Sequence, residues 1–222
     1  LGDEAMPLHK NNMLFGYADK LTDEQKEYVD SIIDNRFTIV NANSGTGKTT
    51  LAVMVAKILK KPLYYIFAPV EESRMGYRPG SQQEKEEAYT TPLKDALLEM
   101  NEDPNKVIYN PNNMESLKKG DVWVYPMSHV FARGMNLKGK TVIIDESQNF
   151  TKNELKKILT RVHDDCTVVM IGHDGQIDID KPEKSGFIPY LEHFKDEDYV
   201  KVCTLSENFR GEISRHADNL KW

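Results

Sequence analysis

The chain has 222 residues, with 29 Lys and Arg against 35 Asp and Glu, for a formal charge of −6. Its 39% apolar and 29% charged residues supply a buried core and exclude wholesale disorder, while the acidic balance excludes a broad basic face that grips duplex nucleic acid and leaves room only for a local basic groove. No stretch approaches the roughly 18 consecutive apolar residues of a membrane span, and the N-terminus LGDEAMPLHK lacks a basic region followed by an apolar run, so the expected location is the cytoplasm with no membrane partner.

Residues 1–20 read as an N-terminal extension, beginning with Leu1 as a processed or trimmed chain would, and 21–222 as one domain with a polar insertion over 70–91. The spacing predicts a first helix over Thr22–Ile33. In its first turn Gln25 offers an amide that suits an adenine edge, or equally a surface position beside an N-cap at Thr22. Short β-branched and aromatic runs predict strands at Phe37–Val40, Leu63–Ala68, Val122–Tyr125, Thr141–Ile144, Thr167–Ile171 and Val200–Leu205. Further helices are expected at Lys48–Lys60, Lys152–Arg161 and Glu212–Leu220. Strands alternating with helices, each strand a continuous apolar run, predict an α/β three-layer sandwich around a mostly parallel sheet. Cys166 and Cys203 sit in strand-like runs and read as reduced core residues.

Between the first strand and the second helix stands Ala42-Asn43-Ser44-Gly45-Thr46-Gly47-Lys48-Thr49, followed by Thr50: a Walker A loop in the strand–loop–helix setting the motif requires. Gly45 and Gly47 let the backbone curl so that N–H groups converge on phosphate at a helix N-terminus. Lys48 adds positive charge for the β- and γ-phosphates of ATP, and the Thr49 hydroxyl is a ligand for Mg²⁺. Ala42 stands where the pattern has its first glycine, which that position tolerates if its φ is negative.

Val70–Thr91 is polar, contains Gly76, Pro79 and Gly80, and exceeds an ordinary connection, so it reads as a functional or disordered loop. Arg74 and Arg78 offer phosphate contacts and Tyr77 a stacking face for single-stranded nucleic acid. The neighbouring Glu71, Glu72, Glu84, Glu86 and Glu87 speak instead for a solvated or subunit-contacting loop. Asn101–Gly120 reads as turns around a short strand at Lys106–Tyr109.

The run Thr141–Phe150, TVIIDESQNF, ends a buried strand in Asp145 and Glu146. At the carboxyl end of a parallel strand, Asp145 suits Mg²⁺ held through water and Glu146 the proton of an attacking water. After the next strand, Gln176 has an amide that could touch both a γ-phosphate and that water, while an ordinary loop glutamine explains it as well. Arg210, after the last strand, stands where a transition-state charge could be met. The histidines show no zinc-type spacing.

Taken together these residues resemble the PhoH-like ATPase family, a RecA-like P-loop NTPase group related to the core of superfamily 1 helicases. The resemblance runs from Thr22 to about Leu220. It rests on Gln25, the loop SGTGKT, the block Arg74–Gly80 with Glu84-Lys85 and Tyr89, and Pro92–Leu97. Further on it rests on Arg133-Gly134, Asp145-Glu146-Ser147-Gln148-Asn149, Lys156 with Leu159-Thr160-Arg161, Gly172 with Gln176 and Asp178, Ser185-Gly186, and Asn208-Phe209-Arg210. The chain departs from the family pattern at Ala42, at His173 in place of an aspartate after Gly172, and at Met135-Asn136 in place of Arg-Thr. The resemblance implies ATP hydrolysis with association to single-stranded RNA, and marks Arg133 as a phosphate-contacting residue. Helicases of this kind clamp ATP between two lobes, whereas this length fits one. The arginine for the transferring phosphoryl group is then expected from a neighbouring subunit, with Arg161 and Arg210 as candidates in a homo-oligomeric ring, a hexamer being the working expectation. A nucleotide-gated RNA-binding switch and a small-molecule phosphotransferase are the competing readings.

Overall fold

The computed structural model describes residues 18–69, 82–179, 181–209, 211–213 and 216. Helix α1 (Asp23–Asp34) starts at Thr22, whose hydroxyl accepts from the Gln25 amide while Gln25 returns a bond to the Thr22 N–H, a reciprocal cap. Then follow β1 (Phe37–Ala42), α2 (Lys48–Ile58), β2 (Leu63–Phe67), α3 (Gln82–Glu99), α4 (Pro104–Val107), α5 (Met114–Lys119), β3 (Val124–Ser128), α6 (His129–Ala132), β4 (Thr141–Ile144), α7 (Lys152–Leu159), β5 (Thr167–Gly172), α8 (Phe187–Phe194) and β6 (Val200–Leu205). The strands form one sheet in the order β3-β2-β4-β5-β1-β6, every neighbouring pair parallel. No helix among the described residues is long and apolar enough to cross a membrane.

Parallel strands need crossover helices, and these cover both faces of the sheet. Val40, Ile143, Val169 and Ile171 pack on one side with Tyr28 of α1, Leu51 and Val55 of α2 and Leu93 and Leu97 of α3. Phe37, Ile39, Val142, Ile144, Val168 and Met170 pack on the other with Leu155 and Ile158 of α7 and Phe187 of α8. Successive strand residues thus enter opposite cores, which is why the strands read as unbroken apolar runs. This is the mostly parallel, three-layer α/β sandwich of a RecA-like fold. Cys166 and Cys203 are buried and unpaired.

Three local expectations are corrected. The segment read as a loop up to residue 91 is helical from Gln82 on, because α3 begins there and continues through Pro92. Proline inside a helix costs about 3 kcal/mol, and it is offset here by Leu93, Ala96 and Leu97, all fully buried, and by Tyr89 stacking on Phe67 at 5.6 Å. The strand expected at Lys106–Tyr109 is instead α4, capped by Asp103, with only a single bridge from Ile108 to Val124. Helices α5, α6 and α8 stand where the sequence pattern predicts none. Of the helix expected at Glu212–Leu220, residues 212, 213 and 216 are described and helical.

Gly172, at the end of β5, has a physical requirement of its own. A Cβ there would lie 2.6 Å from the Phe187 ring, so the glycine lets α8 close on the strand that carries the next loop.

Candidate functional site

The carboxyl ends of β1, β4 and β5 meet in one crevice. Ala42 is the last residue of β1 and only 1% exposed, in a strand conformation that accepts a methyl group. Gly45 (φ 71°) and Gly47 (φ 77°) take left-handed conformations that side chains resist, and Gly47 leads directly into α2. The loop is braced from several sides. The Thr46 hydroxyl donates to Asn43 O at 3.1 Å, and Tyr28 OH donates to Lys48 O at 3.1 Å. Gln25, 8% exposed, donates its amide to Thr46 O at 3.0 Å. Both ends of the Gln25 amide are thus engaged, one in the α1 cap and one on the loop. From the other side, Phe209 N–H donates to Gly45 O at 2.9 Å and Asn43 donates to Ser206 O at 3.2 Å. Ser44 and Thr50 belong to the same loop and first helical turn.

Opposite this loop stands the end of β4. Asp145 is 1% exposed; its Oδ2 accepts from Thr49 Oγ1 at 3.0 Å and from Tyr65 OH at 2.5 Å, and its Oδ1 from the Glu146 N–H at 2.9 Å. Burial, and secondarily the Glu146 charge, push the Asp145 carboxyl above the usual carboxylate range; the Tyr65 bond, Lys48 and the Thr49 bond pull the other way. Glu146 has a left-handed backbone (φ 50°, ψ 45°). Its carboxylate lies 3.7 Å from the Lys48 ammonium and accepts from Gln148 Nε2 at 2.6 Å. Lys48 also reaches Ala42 O at 3.4 Å. A hydroxyl and a buried carboxylate side by side are hard oxygen donors, the set that suits Mg²⁺ retaining several waters, so Thr49 and Asp145 fit that ion.

Beyond β5, the His173 N–H donates to Gln148 Oε1 at 3.1 Å, and His173 Nε2 lies 3.0 Å from Asn43 Oδ1. Sequence reasoning selects Gln176 for this strand end. The structure instead leaves the Gln176 side chain exposed, without a hydrogen bond among the described residues, and places His173 and Gln148 against the loop and Glu146. The signal available in the sequence is the departure at His173 itself.

Arg133 caps α6 and is exposed. Two residues earlier Phe131 is 61% exposed, an aromatic that sequence reasoning passes over. Arg161 follows α7 and its carbonyl accepts from Leu137 N–H, just before β4 begins. It therefore lies at the end of the sheet away from its own loop, and does not meet Lys48 or Glu146 within one chain. Arg74, Tyr77, Arg78 and Arg210 lie outside the described residues.

A family model described as PhoH-like protein matches residues 18–219. A PhoH-like protein of Synechocystis is 32% identical over 206 residues, covering 88% of this chain and 58% of that protein. One from Bacillus subtilis is 30% identical over 198 residues, covering 86% and 58%. Protein PhoH of Escherichia coli is 26% identical over 192 residues, covering 82% and 51%. The chain thus spans about half to three-fifths of the length of these relatives. Among solved structures, the UvsW helicase from bacteriophage T4 superposes with a TM-score of 0.54 at 13% identity, over 91% of this chain and 70% of that one. The large terminase of a thermophilic bacteriophage does so at 0.50 and 12%, over 83% and 45%. At these identities the likeness is one of fold.

Proposed function

The chain belongs to the PhoH-like protein family, and from that premise we propose that it binds Mg·ATP in the Asn43–Thr50 loop, hydrolyses it, and couples the hydrolysis to single-stranded RNA. The observation that carries the reading is the convergence of two motifs 96 residues apart, Thr49 Oγ1 lying 3.0 Å from Asp145 Oδ2, with Lys48 and Glu146 paired beside them.

The curled amides of Gly45–Thr49 hold the phosphates, and Lys48 leaves Glu146 for the γ-phosphate when ATP enters. Thr49 and Asp145 would hold Mg²⁺, which would supply neutralisation of phosphate charge. Glu146, freed of the ammonium and kept in place by Gln148, accepts the proton of the attacking water. The water oxygen bonds to the γ-phosphorus, the bond to the β-phosphate oxygen breaks, and ADP and phosphate leave. Gln25 steadies the loop through Thr46. Arg210 follows in sequence the residue whose N–H bonds Gly45 O, which makes it the candidate in cis; Arg161, at the other end of the sheet, is left as a donor in trans within a ring. Exposed Phe131 beside Arg133 supplies a stacking face with a phosphate contact, and the residue types of Arg74, Tyr77 and Arg78 suit the same ligand.

The test is ATP turnover with and without single-stranded RNA, in the intact chain, Lys48→Ala and Arg133→Ala. Lys48→Ala is expected to lower turnover by at least about 10²-fold, and Arg133→Ala to remove most of the RNA-dependent increment. RNA binding that leaves the intact chain's turnover unchanged would favour the nucleotide-gated switch.

A further inference from the structure

His173 sits in the middle of a continuous hydrogen-bonded line that no motif of the sequence announces. At one end, Gln148 Nε2 donates to the Glu146 carboxylate at 2.6 Å. The carbonyl end of the same amide accepts from the His173 backbone N–H at 3.1 Å. A carboxylate can only accept and a backbone N–H can only donate, so the orientation of Gln148 is fixed by its partners. At the other end, Asn43 Nδ2 donates to Ser206 O at 3.2 Å. That assigns Asn43 Oδ1 to the 3.0 Å contact with His173 Nε2.

The imidazole tautomer follows twice over. Gly175 N–H points at His173 Nδ1 from 2.9 Å, which requires a lone pair on Nδ1. Asn43 Oδ1 requires a proton on Nε2. Both demands describe one neutral ring, carrying its hydrogen on Nε2. Every hydrogen in the line from Glu146 through Gln148, His173 and Asn43 to Ser206 is thereby assigned. The line continues into α1, because Glu24 accepts from the Ser206 N–H at 2.7 Å and from its hydroxyl at 2.8 Å.

Resting on the ATPase reading, we infer that His173 is a positioning residue that ties the phosphate loop, through Asn43, to the carboxylate of Glu146, through Gln148. Asn43 belongs to the loop that phosphate must fill, and Glu146 is the group that must take a proton from water. A rearrangement of the loop reaches Asn43 first and is passed by rigid hydrogen bonds to where Glu146 stands. An ionised aspartate, the residue of the family pattern at this position, is acceptor-only and could not donate to Asn43 Oδ1, so this chain makes the connection by different chemistry. The contribution belongs to the hydrolytic step; nucleotide affinity comes from Lys48 and the loop amides.

The experiment compares steady-state ATP turnover and Mg·ATP affinity by calorimetry for the intact chain and for His173→Gln, His173→Asn and His173→Ala, with thermal melts as the folding control. Glutamine reaches with an amide N–H about as far as Nε2, whereas asparagine reaches only about as far as Nδ1. The expected result is a kcat about tenfold lower in His173→Ala and His173→Asn, most of it restored in His173→Gln, with KM and affinity within about twofold throughout. In addition, His173→Ala and Gln148→Ala combined should cost little more than either alone, because they cut one line. Equal kcat in all variants, a change confined to KM, or additive losses would overturn the inference while leaving the ATPase reading intact. An intact chain that takes up no Mg·ATP would overturn both.

Discussion

Glu146 is the residue on which local cost and chemical purpose are most closely joined. A non-glycine residue in the left-handed region costs of order 1–3 kcal/mol and persists only where its surroundings fix it. Here those surroundings are the Asp145 carboxylate on its N–H, Gln148 on its side chain and the Lys48 ammonium nearby. Replacing the carboxylate by an amide removes the proton acceptor and the ion pair to Lys48 while keeping every residue of the phosphate loop. Glu146→Gln is therefore expected to lower ATP turnover by about 10²- to 10⁴-fold while retaining ATP, measurable as bound, unhydrolysed nucleotide after gel filtration. Turnover within a few-fold of the parent would remove Glu146 from the mechanism. At this scale the sequence is informative where a motif fixes neighbours by their spacing, as in Gly45 to Thr49 and in Asp145-Glu146. It marks His173 only as a departure from the family pattern and does not announce its meeting with Gln148, 25 residues away, which follows from β4 and β5 being adjacent and in register.

Among elements, the seam between α6 and α7 carries a titratable contact. His129 Nε2 lies 3.2 Å from Glu154 Oε1, its ring meets Phe150 edge-on at 5.9 Å, and its Nδ1 is buried without a partner among the described residues. Burial lowers its pKa, the Glu154 charge opposes that, and the Arg133 and Lys157 charges add to it. The native state thus binds fewer protons than the unfolded chain between the two values. The resulting stability is complete above the ordinary histidine value of about 6.5 and is lost as pH falls through the lower folded one. Melting temperatures from about pH 8 down to about pH 5 should show the parent losing more than His129→Gln across the lower part of that range. Parallel curves would remove His129 from the account. The same scale shows why some elements escape the sequence. The polar run up to Thr91 reads as a loop, yet Tyr89, Leu93, Ala96 and Leu97 share one helical face, and their packing outweighs the proline. The inner strands β1, β4 and β5 are legible because they are buried on both faces. Short α4, α5 and α6 hold too few turns to display a period, and their caps become visible only in place.

At the scale of the whole molecule, one sheet presents one phosphate loop, and the candidate arginine Arg161 lies at the far end. If the ring forms, a subunit lacking Lys48 can still lend Arg161, and a subunit lacking Arg161 can still bind ATP. Mixing Lys48→Ala with Arg161→Ala is expected to regain roughly a quarter to a half of the parental turnover that neither shows alone, in line with an arginine donated in trans. Full turnover by Arg161→Ala on its own would rule out that arrangement. The three-layer plan itself is readable from alternating patterns, but the order of strands is not, because chain order says nothing of which strand is laid between which.

That order has one more result. Adjacent strands are about 4.8 Å apart, and β5 separates β1 from β4, so the two halves of the crevice belong to strands that never touch. The tip of β5 lies between the partners, and His173, which follows it, bonds to both sides. Nitrogen-15 placed in Gly172 and His173 would make it a resonance gauge of whether that gap is open or spanned.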